Sequence, residues 1–161
     1  MHSEEQFISV IKENEGLIYK VVKLYTSAKE DEQDLYQEIV YQLWKSFNSF
    51  RNESKISTWM YRIALNTSIA NLNKAKKRGI QLPISETLLN RPDFTDGSKQ
   101  EKVDALYAEI RKLDPIEKGI ILLHLEGNNY DEIASVTGFT STNVGTRLGR
   151  IKQKIISQIK K

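Results

Sequence analysis

Apolar residues recur every three or four positions along almost the whole chain, and this spacing is the feature that most limits its fold. In the first stretch they fall at Phe7, Ile8, Ile11, Leu17, Ile18, Val21, Val22 and Tyr25. Such spacing places them on one face of a helix, and Gly16 is expected to break the stretch into two helices. No segment favours a strand over a helix. We therefore expect an all-α protein.

The same spacing predicts six further helices. They cover about Asp31–Phe47, Ser57 or Thr58 to Arg78, Lys99–Leu113, Pro115–Leu125, Tyr130–Val136 and Thr140–Ile159. Asp114 followed by Pro115 is typical of a helix cap and a first-turn proline. In the Asp31–Phe47 helix the expected apolar arc is Tyr36, Val40, Leu43, Trp44 and Phe47, widened by Leu35 and Ile39.

A segment of weak periodicity separates the helices into two groups. Residues 79–98 hold Pro83, Pro92 and Gly97, which favour an interdomain linker. The sequence thus predicts two small helical domains, 1–78 and 99–161, joined by a flexible linker at 79–98.

Composition and charge narrow the function. The 161 residues include no cysteine, so disulfides and thiolate metal sites are excluded, and we see neither a secretion signal nor a long apolar span. We therefore expect a cytoplasmic protein. Residues 56–78 and 140–161 carry basic but no acidic side chains, whereas 79–98 is acidic. Two separate basic segments indicate two surfaces for a polyanion, the alternative being two solvated helix faces.

The stretch from Tyr130 to Lys152 has the pattern of a helix-turn-helix. Gly138 permits a tight turn and Thr140 caps the next helix, whose inner face is Val144, Leu148 and Ile151. The outer face carries Asn143, Thr146, Arg147, Arg150 and Lys154. Asn and Arg can bind base edges, and Lys and Thr can bind phosphates, so a DNA-reading helix is expected. A plain helical hairpin with a basic face is the alternative.

The first half carries two candidate sites. One helix face carries Asp34, Gln37, Glu38 and Tyr41. This face suits docking on a basic partner surface, and the alternative is an ordinary solvated face. The loop that begins at Phe50 precedes a helix with Trp59, Tyr61, Arg62 and Asn66. Aromatic rings beside basic and amide groups suit unstacked single-stranded bases, although an aromatic stripe is also typical of a core.

These residues resemble a family. DLYQEIVYQLWKSFNSFRNESKISTWMYRIALNTSIANLNKAKKR, from Asp34 to Arg78, is similar to the second conserved region of bacterial sigma factors of the extracytoplasmic-function type. LDPIEKGIILLHLEGNNYDEIASVTGFTSTNVGTRLGRIKQKI is similar to their fourth region. The resemblance covers nearly the whole chain, in the family's order. It implies a transcription initiation factor that brings core RNA polymerase, through its β′ and β subunits, to promoter DNA.

The resemblance also implies roles for individual residues. Asp34, Gln37, Glu38 and Tyr41 would dock on a basic coiled-coil of the β′ subunit. Phe50, Ile63 and Asn66 would capture a flipped base of the −10 element, Trp59 and Arg62 would support strand opening, and Lys74, Lys77 and Arg78 would lie along the promoter backbone. Thr140, Asn143, Thr146, Arg147, Arg150 and Lys154 would read the −35 element. An anti-sigma factor is the expected regulator.

Two departures from the family and three alternatives remain. Asn71 stands where many members have Asp, and Gly145 and Gly149 interrupt the expected reading helix.

The alternatives are a one-site helix-turn-helix regulator that does not bind polymerase, a helical adaptor that binds only protein, and an enzyme. The chain has no glycine-rich phosphate loop, and His2 and His124 lack metal-ligand spacing, so we expect no catalytic residue, metal or cofactor.

Overall fold

The computed structural model describes residues 3–51, 54–77 and 97–159, and the chain divides into two units, Met1–Leu82 and Pro83–Lys161. The helices are α1 (Glu4–Glu13), α2 (Glu15–Tyr25), α3 (Lys29–Phe47), α4 (Ile56–Lys77), α5 (Gly97–Arg111), α6 (Pro115–Leu125), α7 (Tyr130–Thr137) and α8 (Ser141–Ile159). The described ranges contain no strand. The predicted all-α class is confirmed.

In the first unit, α4 packs against both α2 and α3, and α1 packs on α3. The buried stripe of α3 is Leu35, Ile39, Leu43 and Phe47. The predicted arc was therefore centred about one residue too late. Val40 and Trp44 line a groove with α1 instead, and the Tyr36 ring contacts Tyr19 of α2, with ring centroids 4.8 Å apart. Trp44 stays 44% exposed because the ten-residue α1 covers only part of this side.

Two predicted helix boundaries in this unit were wrong. The break between α1 and α2 falls at Asn14, not at Gly16, which lies in the first turn of α2. Asn14 has φ −123° and ψ 21°, and its side-chain Nδ2 donates to the Val10 carbonyl at 2.8 Å, which ends α1. Helix α4 begins at Ile56, since the Trp59 amide already donates to the Lys55 carbonyl, and Thr58 is buried rather than capping.

In the second unit, α8 packs on α5, α6 and α7 and supplies the centre of the core. Its predicted inner face is confirmed, because Val144, Leu148 and Ile151 have no exposed surface. Leu123 and Ile133 are equally buried on α6 and α7. Residues at spacings of four and three thus fill the core, and the residues between them are left for the surface.

Side-chain caps set the ends of the short helices in the second unit. As predicted, Asp114 caps α6 and Pro115 is its first residue. The Asp114 side chain accepts a hydrogen bond from the Glu117 amide, and the Glu117 side chain accepts one from the Asp114 amide. Asn129 and Glu132 form the same reciprocal pair at the start of α7. Gly138 ends α7 at φ 87°, and its amide donates to the Ala134 carbonyl at 2.8 Å.

The predicted linker is not described as a whole. Helix α5 begins at Gly97, two residues before the predicted start, and ends at Arg111 instead of Leu113. The rest of the segment predicted as linker lies outside the described residues, as does Gly79, the expected stop of the preceding helix.

Two glycines give opposite predictions for stability. Gly138→Ala should destabilise the second unit by about 1–2 kcal/mol, because an L-residue is strained at positive φ. Gly149→Ala should stabilise it by about 1 kcal/mol, since alanine is the better helix former and a Cβ at this position meets nothing within 4 Å. Urea unfolding of the full chain, followed by hydrogen exchange of α7 and α8 amides, measures both. Equal effects of the two substitutions would contradict this account of the turn.

Candidate protein and nucleic-acid interfaces

The polar face of α3 is open to solvent. Asp34, Gln37, Glu38 and Tyr41 are all exposed, with Tyr41 at 53%. Glu38 accepts a hydrogen bond from Gln42 Nε2 at 3.0 Å, and Lys45 Nζ lies 5.3 Å from the centre of the Tyr41 ring. The face therefore presents carboxylate, amide and aromatic groups side by side.

An apolar groove of about 570 Å³ borders this face between α1 and α3. Its lining residues are Glu4, Phe7, Ile8, Tyr36, Gln37, Val40, Tyr41 and Trp44. Two of them, Gln37 and Tyr41, belong to the polar face, so face and groove are continuous. The α1 residues were missed from the sequence. The signal in the sequence is the apolar pair Phe7 and Ile8 in the first helix, together with an apolar arc on α3 too wide for one partner helix.

A run of aromatic contacts leads from the groove into the unit. Trp44 contacts Phe7 (ring centroids 5.0 Å apart), Phe7 contacts Phe47 (5.2 Å), and Phe47 contacts Trp59 (6.1 Å). Phe50 ends the run, 5.1 Å from Trp59. We call these five residues the aromatic ladder. Phe50 and Trp59 are 9% and 7% exposed, so both belong mainly to the core.

A pocket of about 300 Å³ opens where the ladder ends. It is lined by Ser49, Phe50, Arg51, Ser54, Trp59 and Arg62. Aromatic carbon, two guanidinium groups and hydroxyls therefore meet at one concave site. Ile63 is half-buried and Asn66 exposed further along α4, and neither lines the pocket. The structure thus groups three of the residues singled out from the sequence, Phe50, Trp59 and Arg62.

The basic end of α4 is described only in part. Lys74 is exposed. The side chain of Lys77 and the whole of Arg78 lie outside the described residues.

The helix-turn-helix geometry is built from local hydrogen bonds. Thr140 caps α8, as predicted, because its Oγ1 accepts from the Asn143 amide at 3.1 Å. Ser141 Oγ donates to the Asp131 carboxylate across the turn. With Gly138 in the left-handed conformation, these contacts set the direction in which α8 leaves the turn.

The outer face of α8 is exposed along its length. Thr140, Asn143, Thr146 and Arg150 are exposed and Arg147 is half-buried. Lys154 is engaged within the protein, since its Nζ pairs with Glu117 Oε2 at 2.8 Å and so ties α8 to the start of α6. The structure thus leaves the first half of α8 as the open polar surface and gives Lys154 a structural contact.

One side chain on this face is held in place by two neighbours. Arg147 Nε donates to Asn143 Oδ1 at 2.6 Å, and the Arg147 guanidinium carbon lies 4.1 Å from the centre of the Phe139 ring. Sequence reasoning identified the asparagine and the arginine. It missed Phe139, whose place just before the cap is the only signal.

The glycines of α8 have different surroundings. A Cβ at Gly145 would lie 3.1 Å from Cε2 of Tyr130, so the absence of a side chain lets the tyrosine ring of α7 rest on α8. Nothing in the structure explains Gly149.

The basic charge of α8 also acts on α6. Burial, and then the positive charge of Lys152, lower the pKa of His124 below the ordinary value of 6.5. His124 is therefore mainly neutral at pH 7.

Metal and membrane features are lacking in the part of the chain that the structure describes. Residues 3–51, 54–77 and 97–159 contain no group of three or more His, Cys, Asp or Glu that could hold a metal ion. No helix within these ranges is long and apolar enough to cross a membrane.

Comparison with known families matches both units. The sigma-70 region 2 model matches residues 10–78, and the sigma-70 region 4 model matches residues 104–155. The chain is 29% identical to RNA polymerase sigma factor SigV of Bacillus subtilis, over 96% of this chain and 91% of that protein. It is 28% identical to the ECF RNA polymerase sigma-E factor of Haemophilus influenzae, over 87% and 82% of the two chains.

Solved structures show the same fold. The sigma factor RpoE, in complex with the anti-sigma factor NepR from Bartonella quintana, gives a TM-score of 0.72 at 14% identity, over 98% of this chain and 96% of that one. CnrH, in complex with the cytosolic domain of CnrY, gives 0.68 at 18% identity, over 98% and 90%.

The electrostatic coupling of α6 and α8 is testable. Lys152→Gln should raise the pKa of His124, because the charge that opposes protonation is removed while burial remains. Protonation of His124 opposes folding, so stability is full above the unfolded pKa of about 6.5 and falls as the pH drops through the folded pKa. NMR titration of the ring protons measures the pKa, and the chain has only two histidines to assign. Lys23→Gln, in the other unit, is the control. An unchanged His124 titration in Lys152→Gln would refute the coupling.

Proposed function

The chain belongs to the sigma-70 family of transcription initiation factors, in its extracytoplasmic-function group, and we propose that it binds core RNA polymerase and directs it to promoters. The main support for this proposal is that the models of two regions of this family match the chain in order, one on each unit. A one-site helix-turn-helix regulator would account for the second match alone. In this proposal residues 1–78 and 99–161 are the two working domains and 79–98 connects them.

The first unit is proposed to bind the polymerase through α3. Asp34, Gln37, Glu38 and Tyr41 offer carboxylate and amide acceptors to a basic surface, such as the β′ coiled-coil implied by the family resemblance. The adjoining α1–α3 groove adds apolar contact, since Trp44 and Ile8 are each 44% exposed. Aromatic residues surrounded by a polar rim are typical of strong protein interfaces.

The pocket at the end of the aromatic ladder is proposed to take an unstacked base of the −10 element. Phe50 and Trp59 supply ring edges for base contact, and Arg51 and Arg62 supply positive charge for the neighbouring phosphates. Ile63 and Asn66 continue this surface along α4, and Lys74, Lys77 and Arg78 would follow the promoter backbone. Because Phe50 and Trp59 are largely buried, their first effect is to hold the pocket open.

The second unit is proposed to read the −35 element as duplex DNA through the first half of α8. Thr140, Asn143, Thr146, Arg147 and Arg150 face outward there, where the residues of a reading helix meet base edges and phosphates. Lys154, predicted as a further DNA contact, pairs with Glu117 in the free protein. This ion pair must open before Lys154 can bind a DNA phosphate. The β subunit would hold this unit at the correct distance from the first.

Control is proposed to come from a separate protein. The two structurally similar proteins were solved in complexes, the sigma factor RpoE with the anti-sigma factor NepR and CnrH with the cytosolic domain of CnrY. An anti-sigma factor that covers the α3 face would block polymerase binding without altering the fold. We place the protein in the cytoplasm, where the polymerase acts, and assign it no catalytic step of its own.

Reversing charge on α3 tests the polymerase contact. Asp34→Lys with Glu38→Lys should weaken binding to core RNA polymerase at least about tenfold, because two acceptors of a basic surface become repulsive. Fluorescence titration of labelled full-length protein with core enzyme measures the affinity. Glu13→Lys with Glu101→Lys makes the same change of net charge at exposed positions outside α3 and outside the lining of the α1–α3 groove. If both double variants bind as the parent protein does, the face is assigned wrongly.

Separate DNA roles for the two units give another prediction. Asn66→Ala should slow open-complex formation on duplex promoters, and Arg147→Ala should lower the affinity for duplexes that carry the upstream element. On a template already melted around −10 and lacking that element, Arg147→Ala should have no effect. Permanganate footprinting of the reconstituted holoenzyme follows opening. The reverse pattern, with Arg147→Ala defective on the short melted template, would overturn the division of labour.

A further inference from the structure

Asn143, Arg147 and Phe139 form a preassembled cluster on the open half of α8. Asn143 and Arg147 are one turn apart, so both side chains leave the same side of the helix. The 2.6 Å bond from Arg147 Nε to Asn143 Oδ1 and the 4.1 Å stacking distance to Phe139 fix the arginine from two directions. A long, flexible side chain is thus ordered before any ligand arrives.

The bond settles which way the asparagine amide points. A guanidinium can only donate hydrogen bonds, so the atom that faces Nε must be the amide oxygen. The Nδ2 group of Asn143 therefore points away from Arg147. Among the described residues, no protein group accepts from this Nδ2 or from the two Nη groups of Arg147.

The groups of the cluster without a protein partner are N–H donors, and Asn143 Oδ1 keeps one lone pair beside its bond to Arg147. With Nε engaged, the free edge of the guanidinium is the parallel fork of its two Nη groups. In the major groove, guanine offers two neighbouring acceptors, N7 and O6, which match this fork. Adenine offers one acceptor and one donor, so it cannot accept both hydrogen bonds of this fork.

We infer that Arg147 reads a guanine in the duplex promoter element, with Phe139 and Asn143 as its positioning residues. Asn143 Nδ2 donates to an acceptor on an adjacent base. This inference rests on the proposed function, since it requires that α8 enters the groove of the upstream element. It adds the base that is read and a residue, Phe139, that helps to read it.

Selection of DNA by the holoenzyme tests the inference. Full-length protein and core RNA polymerase are mixed with duplexes that share a fixed −10 segment and are randomised upstream, and bound duplexes are sequenced. The parent protein should enrich a guanine at one position. In Arg147→Lys that preference should fall about tenfold, whereas the salt dependence of binding should stay unchanged because the charge is kept.

The positioning residues have their own variants. Phe139→Leu and Asn143→Ala should each lower the guanine preference at that same position severalfold without lowering the melting temperature. Asn143→Asp keeps an oxygen facing Nε, so it should restore the preference at the Arg147 position while losing the one at the adjacent base. A merely structural role would not produce this split between two positions. Replacing the selected guanine by 7-deazaguanine should match the loss seen in Arg147→Lys.

The outcomes separate the inference from the function beneath it. Enrichment of an upstream element whose guanine preference survives Arg147→Lys, or is unchanged in both Phe139→Leu and Asn143→Ala, overturns the inference and leaves the sigma assignment standing. If the parent protein binds no core enzyme and enriches no upstream sequence, the inference and the proposed function are both wrong.

Discussion

The first unit depends on Phe47, the central ring of the aromatic ladder. It contacts Phe7 of α1 on one side and Trp59 of α4 on the other, so three helices that would be marginal alone are joined through one side chain. The ladder reaches the α1–α3 groove at Trp44 and the pocket at Phe50. The surfaces proposed for polymerase and for the −10 base are therefore opposite ends of one packed core.

In the second unit, a single helix, α8, both forms the centre of the core and presents the proposed reading surface. Helix α8 does so by periodicity, with Val144, Leu148 and Ile151 inside and the polar residues between them outside. Its outer face is ordered by neighbours: Phe139 and Asn143 hold Arg147, and Glu117 holds Lys154. Because the Gly138 turn also fixes the direction of α8, these ordered side chains are held in position for a ligand of fixed shape such as duplex DNA.

Much of this architecture follows from the sequence, because helix periodicity and caps are local. The Asp114–Pro115 start, the Gly138 turn and the buried face of α8 were all predicted correctly. The break between α1 and α2 was predicted at Gly16 but lies at Asn14, because the Asn14 side chain ends α1 by donating to the preceding turn, whereas a glycine was the expected breaker. The stacking of Phe139 on Arg147, the pairing of Lys154 with Glu117 and the burial of Phe50 depend on where chain segments meet in space. No spacing rule contains that information. The DNA and polymerase contacts predicted from the sequence remain predictions.

The central claim is that this chain redirects RNA polymerase. Purified core RNA polymerase, with and without the full-length protein, can transcribe fragmented bacterial genomic DNA, with the 5′ ends of the products sequenced. The account predicts a new set of start sites that appears only with the protein and shares two elements upstream at a constant separation. Unchanged start sites, with the protein binding DNA by itself but not the core enzyme, would contradict it.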